Sequence, residues 1–266
     1  MLLALKLALV PGFLAALTMA GRVWGPSVAG WLAGLPVVAG PIVLLLALER
    51  GPAFAAQASA ASITAIAASE AFNVAYAWTC RRSAWPLALA AGMLGWGGVA
   101  LLLTDLPGGL WWAVGAACVA VAVSQSGLPR VAGHVPAARV GLGDLALRML
   151  AGALLTVAVT TLSASMGATW SGLLSVFPLL GIVLAVSAQR AHGADFVALL
   201  MRGMVIGRGS FAAFFAVTAT MLPHYGVWLS FACAAVVSMA VQGATRRLLR
   251  AKRPVRVLTR QPTAPL

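Results

Sequence analysis

The stretch Leu3-Ala4-Leu5-Lys6 returns 142 residues later as Leu145-Ala146-Leu147-Arg148, and the same offset relates further landmarks in the two halves of the chain. The most informative of them is a proline, since Pro36 corresponds to Pro178. Thr18, Gly25, Gly30, Gly51, Phe54 and Ala71-Phe72 likewise return as Thr160, Gly167, Gly172, Gly193, Phe196 and Ala213-Phe214. No gap is needed in this register, so the chain repeats one structural unit.

The composition excludes a soluble globular protein. Of the 266 residues 62% are hydrophobic and only 9% are charged, whereas soluble domains carry roughly a quarter charged residues. Unpaired backbone groups are too costly in hydrocarbon, so the spans of a membrane protein are helices or a closed barrel. The long apolar runs lack the two-residue alternation of barrel strands. They therefore predict an all-α integral membrane protein.

At about 20 residues per span the apolar runs predict nine transmembrane helices: 2–21, 26–48, 52–79, 84–103, 108–125, 143–163, 168–189, 194–221 and 224–243. Four helices form each copy of the repeat and the fifth is an unmatched connector. Because five spans separate equivalent points, the second copy enters the membrane from the opposite side, as in inverted-topology repeats. The predicted organisation is 1–107 for the first repeat, 108–142 for the connector and linker, 143–243 for the second repeat and 244–266 for a basic tail.

The positions of the basic residues predict the orientation of the chain. The net charge is +13, and cytoplasmic loops carry an excess of Lys and Arg. With the N-terminus outside, the inner loops hold Arg22, Arg81, Arg82, Arg130, Arg139, Arg190 and the tail from Arg246 to Arg260. This asymmetry accounts for the charge without a nucleic-acid partner and leaves membrane lipids as the contact of the tail. The Ala-, Gly- and Arg-rich composition favours a bacterial inner membrane.

Neither cysteines nor histidines have the spacing of a metal site or a disulfide framework. Cys80, Cys118 and Cys233 lie far apart, and His134, His192 and His224 are predicted in loops or at span ends. We therefore predict no metal and no cofactor. The sequence does not predict an oligomeric state.

Prolines lie at matching depths of the second helix in each copy. Span 2 contains Gly34-Leu35-Pro36-Val37-Val38-Ala39-Gly40-Pro41, which predicts a break, and Pro178 with Gly181 predicts a break or a kink in span 7. Discontinuous helices at a repeat interface expose backbone dipoles to a ligand near the midplane. We therefore expect Pro36, Gly40, Pro41, Pro178 and Gly181 to surround a substrate site.

Charged residues inside predicted spans indicate function by default. Arg208 lies near the centre of span 8 between two glycines, and its guanidinium can bind a carboxylate through two hydrogen bonds. Glu70 lies about one turn from the position equivalent to Arg208. Either the two form a structural salt bridge or Glu70 is a proton-coupling carboxylate, and one residue can serve both roles.

Further polar residues are assigned to the same path. Asn73 and Ser210 are candidate substrate ligands beside Glu70 and Arg208. Lys6 and Arg148 occupy equivalent positions near opposite entrances, where they attract anions or extend to the lipid head groups. Arg202 is the third candidate vestibule residue.

The chain lacks the signals of the common membrane enzymes. It has no phosphate-binding loop, no paired aspartates and no predicted intramembrane histidine to act as a base. We predict a secondary transporter of a small organic anion with no catalytic residues, driven by protons, with sodium coupling as a lesser possibility. The same sequence features also fit a channel or flippase for an anionic lipid or solute, or a membrane subunit that needs a partner.

In its inverted halves and proline-broken second helices the chain resembles the broad class of secondary transporters, such as those of the bile-acid, arsenite and riboflavin type and the sodium–proton antiporters. The resemblance covers about residues 3–240 and is architectural. The four-plus-one-plus-four layout departs from the five-plus-five arrangement usual in that class, and no family motif is matched. No substrate is implied by it.

Overall fold

The computed structural model describes residues 2–105, 109–131, 141–165 and 168–251, and these residues form helices and their connections without any strand. The first half contains α1 (Leu2–Trp24), α2 (Pro26–Ala33), α3 (Ala39–Arg50), α4 (Pro52–Thr64), α5 (Ile66–Thr79), α6 (Trp85–Thr104) and α7 (Leu110–Gly127). The second half contains α8 (Leu142–Ser165), α9 (Ala168–Ser175), α10 (Leu179–His192), α11 (Ala194–Tyr225) and α12 (Val227–Ala251). The predicted all-α class is confirmed.

Several of these helices are long and apolar enough to cross a membrane. Among the described residues five segments meet both conditions: Trp85–Thr104, Leu110–Gly127, Thr169–His192, Ala194–Tyr225 and Val227–Arg247. A helix rises 1.5 Å per residue and the hydrocarbon core is about 30 Å thick. The chain is therefore a multi-pass helical membrane protein.

The helix boundaries repeat at the offset found in the sequence. The short helix α2 covers 26–33 and α9 covers 168–175, so both of their ends differ by 142 residues. The starts of α4 and α11 differ by the same number, as do the starts of α6 and α12. The connector α7 has no counterpart. The internal repeat of the sequence is thus also a repeat of helix lengths and breaks.

The backbone is interrupted at the predicted proline in both copies, and in the same way. Before Pro36, the amides of Gly34 and Leu35 donate to Trp31 and Leu32 at 3.2 and 3.1 Å. The four residues at equivalent positions before Pro178 repeat these bonds at 3.2 and 3.0 Å. Proline lacks the N–H that would continue the ladder and clashes with the carbonyl four residues earlier. The interruption at Pro178 is therefore a full break.

Each short helix packs against the other half of the chain. In α2, Gly30 lies so close to α11 that a Cβ atom would overlap the carbonyl oxygen of Leu200. In α9, Gly172 lies in the same way on the carbonyl oxygen of Ala58 in α4. The two contacts are equivalent in the repeat, because Gly30 corresponds to Gly172 and Ala58 corresponds to Leu200. In each contact the glycine comes from one half of the chain and the carbonyl from the other half. Small residues permit such close helix packing in membranes.

Contacts between helix ends gather the basic residues at one face of the bundle, which we call the arginine-rich face. The indole of Trp78, at the end of α5, donates to the carbonyl of Gly127 at the end of α7 at 2.8 Å. Arg81 lies 3.8 Å from Asp195 at the start of α11. The ends of α1 and α10 and the start of α8 meet around a small cavity on the same face. The helix ends there carry Arg22, Arg81, Arg82, Arg130, Arg190, Arg246 and Arg247.

Two predicted segments lie partly outside the described residues. In the linker, 132–140 is not described, and in the basic tail the same holds for 252–266. The described part of the tail is helical, because α12 continues past the predicted end of span 9 at residue 243 to Ala251.

The close contact of α2 predicts the cost of adding a methyl group. Gly30→Ala should destabilise the protein by about 1–3 kcal/mol, because the Cβ must displace backbone of α11. Gly97→Ala in α6 is the matched control, since nothing lies within 4 Å of its Cβ position and alanine favours helix. The measurement is the thermal midpoint of the purified protein in detergent. Equal midpoints for the two variants would contradict the packing.

Candidate functional site

A cavity of about 50 Å³ lies where the two helix breaks meet. It is enclosed by the break between α2 and α3, the break between α9 and α10, and side chains of α5 and α11. Its lining residues are Ala33, Leu35, Val38, Ala39, Asn73, Ser175, Val176, Phe177, Pro178, Leu179, Leu180, Gly181, Met204, Arg208 and Phe211. Four of the predicted substrate-site residues therefore line one cavity: Asn73, Pro178, Gly181 and Arg208.

Arg208 and Glu70 form a buried ion pair at this cavity. The Nε of Arg208 donates to Oε1 of Glu70 at 2.8 Å, and the two side chains are 11% and 1% exposed. The ring of Phe211 lies 5.6 Å from the guanidinium carbon. The terminal nitrogens of Arg208 have no hydrogen-bond acceptor among the described residues. The salt bridge, which was one of the two roles considered for Glu70, is thus present. It uses only the Nε of the guanidinium, so the two terminal nitrogens can bind another acceptor.

Helix α5 holds Glu70 in place through its neighbours on the same face. Nδ2 of Asn73, one turn later, donates to the second carboxylate oxygen at 3.2 Å. Ser69 donates to the carbonyl of Val176 in the second break at 2.8 Å. The acid is therefore tied to α11 through Arg208, while the adjacent serine is tied to the broken segment. A movement of that segment relative to α11 would strain this connection.

Backbone N–H groups at the starts of two helices are a second set of hydrogen-bond donors that could bind an anion. The first N–H groups of a helix have no acceptor within it. Among the described residues, no acceptor bonds the amides of Val38 and Ala39 at the start of α3, or those of Leu180 and Gly181 at the start of α10. All four residues line the cavity. Helix starts carry partial positive charge and bind anions.

Several carbonyl groups at the ends of α2 and α9 accept hydrogen bonds from side chains. Gln242 donates to the carbonyl of Trp31 at 2.8 Å, and Ser175 donates to that of Gly172 at 2.7 Å. In the second break, Ser69 donates to the carbonyl of Val176. Side chains thus bind part of the negative ends of the short helices, whereas no acceptor among the described residues binds the first amides of α3 and α10 that line the cavity. The cavity therefore offers hydrogen-bond donors from Arg208 and from both helix starts.

The other predicted ligands of the substrate lie beside the cavity without lining it. Pro36 is in the first break, where its carbonyl accepts from the amide of Gly40 at 2.8 Å. Gly40 packs on the ring of Phe214, and Pro41 continues the first turn of α3. Ser210 points to α12, where its hydroxyl donates to Oε1 of Gln242. The first break thus lies where the sequence predicted it, and the hydroxyl of Ser210 lies on the side of α11 that faces α12.

Of the predicted vestibule residues, Arg148 lies in a second cavity of about 20 Å³ at the arginine-rich face. It is 5% exposed and pairs with Asp144 at 2.9 Å. Its Nε and the Nε2 of His192, which also lines this cavity, have no hydrogen-bond partner among the described residues. Arg202 donates to the carbonyl of Leu128 at 2.9 Å. The side chain of Lys6 lies outside the described part of the chain.

The two faces of the bundle differ in how far they open toward the centre. A third cavity, of about 300 Å³, lies between α4, α6, α7 and α9 at the face opposite the arginines. Its lining includes Gln57, Leu103, Thr104 and Leu173. In the repeat, Leu173 corresponds to Trp31 and Leu103 corresponds to Thr245. At this equivalent place the indole N–H of Trp31 donates to Thr245 at 3.0 Å. The guanidinium carbon of Arg246, which corresponds to Thr104, lies 5.8 Å from the Trp31 ring. The tryptophan and the arginine are larger than Leu173 and Thr104, and they fill the space at the arginine-rich face that is a cavity at the opposite face.

The sequence offered little signal for these additional residues. Trp31, Gln242 and Thr245 were not predicted, although their helix positions put them on facing sides of α2 and α12. The free amides of α3 and α10 follow from the predicted breaks, but not their convergence on one cavity. Among the described residues there is no group of three His, Cys, Asp or Glu side chains that could hold a metal ion.

Removing one partner of the buried pair should cost more than removing both. Glu70→Gln or Arg208→Met alone should destabilise the protein by about 3–5 kcal/mol, since each leaves an uncompensated buried charge. The double variant should recover much of that loss. Arg202→Met is the matched control, because its partner is the Leu128 carbonyl and its effect should add to that of Glu70→Gln. Denaturant titrations measure the free energy of unfolding of each variant. If the losses in Glu70→Gln and Arg208→Met simply add in the double variant, the two side chains do not interact, and the ion pair is contradicted.

Comparison with known proteins adds no assignment to this site. No protein-family model, curated protein or solved structure matches the chain. The function is therefore inferred from the geometry of the cavity and its charges.

Proposed function

We propose that this protein is a secondary active transporter of a small organic anion that works by alternating access between inverted repeats. The single observation that carries the proposal is the set of unpaired donors around one cavity. These are the terminal nitrogens of Arg208 and the four backbone amides at the starts of α3 and α10. Half-helices whose positive ends meet a substrate near the midplane are a device of transporters.

The reciprocal packing supports the inverted arrangement. The contact of Gly30 with Leu200 is repeated, with the halves exchanged, by Gly172 and Ala58. Such self-complementary pairing is what a two-fold axis produces. With α2–α3, α4–α5 and α9–α10 each counted as one crossing, the chain crosses nine times, and an odd number of crossings separates the copies. The axis then lies in the membrane plane, and we propose an N-terminus outside and a cytoplasmic C-terminus in a bacterial inner membrane.

The ion pair supplies a route to proton coupling. Glu70 neutralises Arg208 through Nε. An anion that binds the guanidinium competes with Glu70 for the same cation, and we propose that the displaced carboxylate carries a proton. The anion and the proton would then cross together. Among the described residues no Asp or Glu other than Glu70 lines or adjoins the cavity, so one proton per anion is the simplest stoichiometry.

The unequal faces fit one conformation of an alternating cycle. The cavity of about 300 Å³ leads inward from the face opposite the arginines. The equivalent space at the arginine-rich face is filled by Trp31, Thr245 and Arg246. We propose that this state opens to the outside and that separation of Trp31 from Thr245 opens the cytoplasmic side. The size of the central cavity, about 50 Å³, favours a small solute over a lipid head group.

Ligand-dependent thermal stability tests the anion site. A ligand that binds only the folded state stabilises it by about 2.7 kcal/mol at 100 times its Kd. Carboxylates, phosphonates and lipid phosphates should be compared on the wild type and on Glu70→Gln/Arg208→Met, which leaves no buried charge unpaired. One class of small anion should raise the thermal midpoint of the wild type only. Arg202→Met is the control that should keep the response.

The proposal fails if the double variant responds as the wild type does, or if none of the anions stabilises the wild type. Stabilisation by lipid phosphates alone would instead indicate a flippase.

Replacing the acid should uncouple transport from protons. Glu70→Gln removes the group that takes up the proton but keeps a side chain able to accept from Arg208. In proteoliposomes this variant should lose accumulation driven by a pH gradient and retain exchange of labelled for unlabelled anion. Ser62→Ala, which alters a buried hydroxyl near the second break without removing a charge, is the control. Unchanged accumulation in Glu70→Gln would contradict proton coupling at this residue.

A further inference from the structure

We infer that the substrate is a short-chain monocarboxylate, a single carboxylate with an apolar tail of about one or two carbons. The inference rests on the proposed function and specifies its substrate class. Three properties of the central cavity define this class: the number of cationic side chains, the polarity of the remaining lining and the volume.

The charge of the lining fits one negative charge. Arg208 is the one charged side chain among the described residues that line the cavity. Its neighbour Glu70 is the only carboxylate in contact with it among the described residues. Of the helices packed on α5, α4, α6 and α7 contain no Asp, Glu, Lys, Arg or His, and on α11 the next charged side chain, Arg202, is bonded to the carbonyl of Leu128. Arg208 therefore brings the single positive charge of the lining, which a monoanion balances and a dianion does not.

The head group that best matches the donors is a carboxylate. The two terminal nitrogens of Arg208 present parallel N–H groups, which bind a carboxylate in bidentate fashion. The amides of Leu180 and Gly181 are successive donors from one helix start. A phosphate in the same place would bring two further oxygens and a second charge at neutral pH. Its extra oxygens would face the apolar part of the lining.

That apolar part accounts for the tail. Most remaining lining residues are hydrocarbon or aromatic, and they come from both breaks and from α11: Ala33, Leu35, Val38, Val176, Phe177, Leu179, Met204 and Phe211. The hydroxyl of Ser175 is already bonded to Ser62 and Gly172. The amide oxygen of Asn73, an acceptor without a partner among the described residues, would repel a second carboxylate. The site therefore has one polar end and one apolar end.

The volume limits the length of the tail. A cavity needs about 10–15 Å³ of such volume for each water-sized group. The central cavity, at about 50 Å³, therefore takes roughly three to five such groups. Three of them are the two oxygens and the carbon of the carboxylate, which leaves space for about two tail carbons at most. Acetate and propionate fit this limit, butyrate lies just beyond it, and hexanoate clearly exceeds it.

The test is a series of sodium salts on the purified protein at constant ionic strength: acetate, propionate, butyrate, hexanoate, malonate, succinate and phosphate. Kd values follow from the thermal midpoint as a function of concentration. Affinity should rise about fourfold from acetate to propionate, for the one CH₂ that fits, peak at propionate, and fall at least tenfold for hexanoate. Both dicarboxylates and phosphate should bind at least tenfold more weakly than the best monocarboxylate.

Two methionines of α11 provide a matched pair for the volume argument. Met204 lines the cavity and is 3% exposed, whereas Met201 is fully buried one turn earlier without lining it. Met204→Ala should move the optimum to a chain one to three carbons longer, and Met201→Ala should leave it unchanged. If the chain length that binds most tightly is unchanged in Met204→Ala, or shifts equally in both variants, the assignment of the tail to this cavity is overturned.

The outcomes separate this inference from the function on which it rests. Tightest binding of a dicarboxylate, phosphate or hexanoate, lost in Glu70→Gln/Arg208→Met, would overturn the monocarboxylate class and keep the anion transporter. Binding of a monocarboxylate that survives in that double variant, or no binding of any anion, would overturn both.

Discussion

The rest of the structure depends on one constraint: the short helix of each half packs against a longer helix of the other half. α2 lies on α11 and α9 lies on α4, and each contact is so close that only glycine fits, at Gly30 and at Gly172. Because this packing is reciprocal, it brings the two proline breaks to one place, with the starts of α3 and α10 on either side of it. Separating the halves would remove the cavity, and a larger residue at either glycine would push a break away from α11 or α4.

At that place several carbonyl acceptors are bonded by side chains, whereas a set of hydrogen-bond donors has no partner in the described part of the chain. Carbonyl groups at the ends of α2 and α9 are bonded by Gln242, Ser69 and Ser175, while the amides at the starts of α3 and α10 have no partner among the described residues. Arg208 adds a charge and Glu70 offsets it. A buried pair of this kind is weak evidence for stability. A pair at a cavity, with half of the guanidinium still available, is better explained by a ligand that competes with the acid.

The sequence predicted the features that depend on the offset and on local chemistry, and it failed where helix phase and distant packing decide. The repeat, both breaks and the proximity of Glu70 to Arg208 follow from counting residues. Ser210 was expected beside Arg208, but two residues turn a helix by about 200°, which directs its hydroxyl to Gln242 on α12. Arg148 was expected near an entrance, and it lines a cavity at the arginine-rich face, where it pairs with Asp144 one turn before it. The hydrogen bond between Trp31 and Thr245 joins residues 214 positions apart, which no local pattern reveals.

The central claim is that the two-fold axis lies in the membrane plane, so that equivalent positions of the repeat lie on opposite sides of the membrane. Ala53 and Asp195 are such a pair, exposed at the starts of α4 and α11. The measurement is the labelling of Ala53→Cys and Asp195→Cys, in a protein whose three cysteines are replaced, by a membrane-impermeant maleimide applied from each side. The account predicts that each cysteine reacts from one side only, Ala53→Cys from the outside and Asp195→Cys from the cytoplasm. Labelling of both from the same side would contradict it.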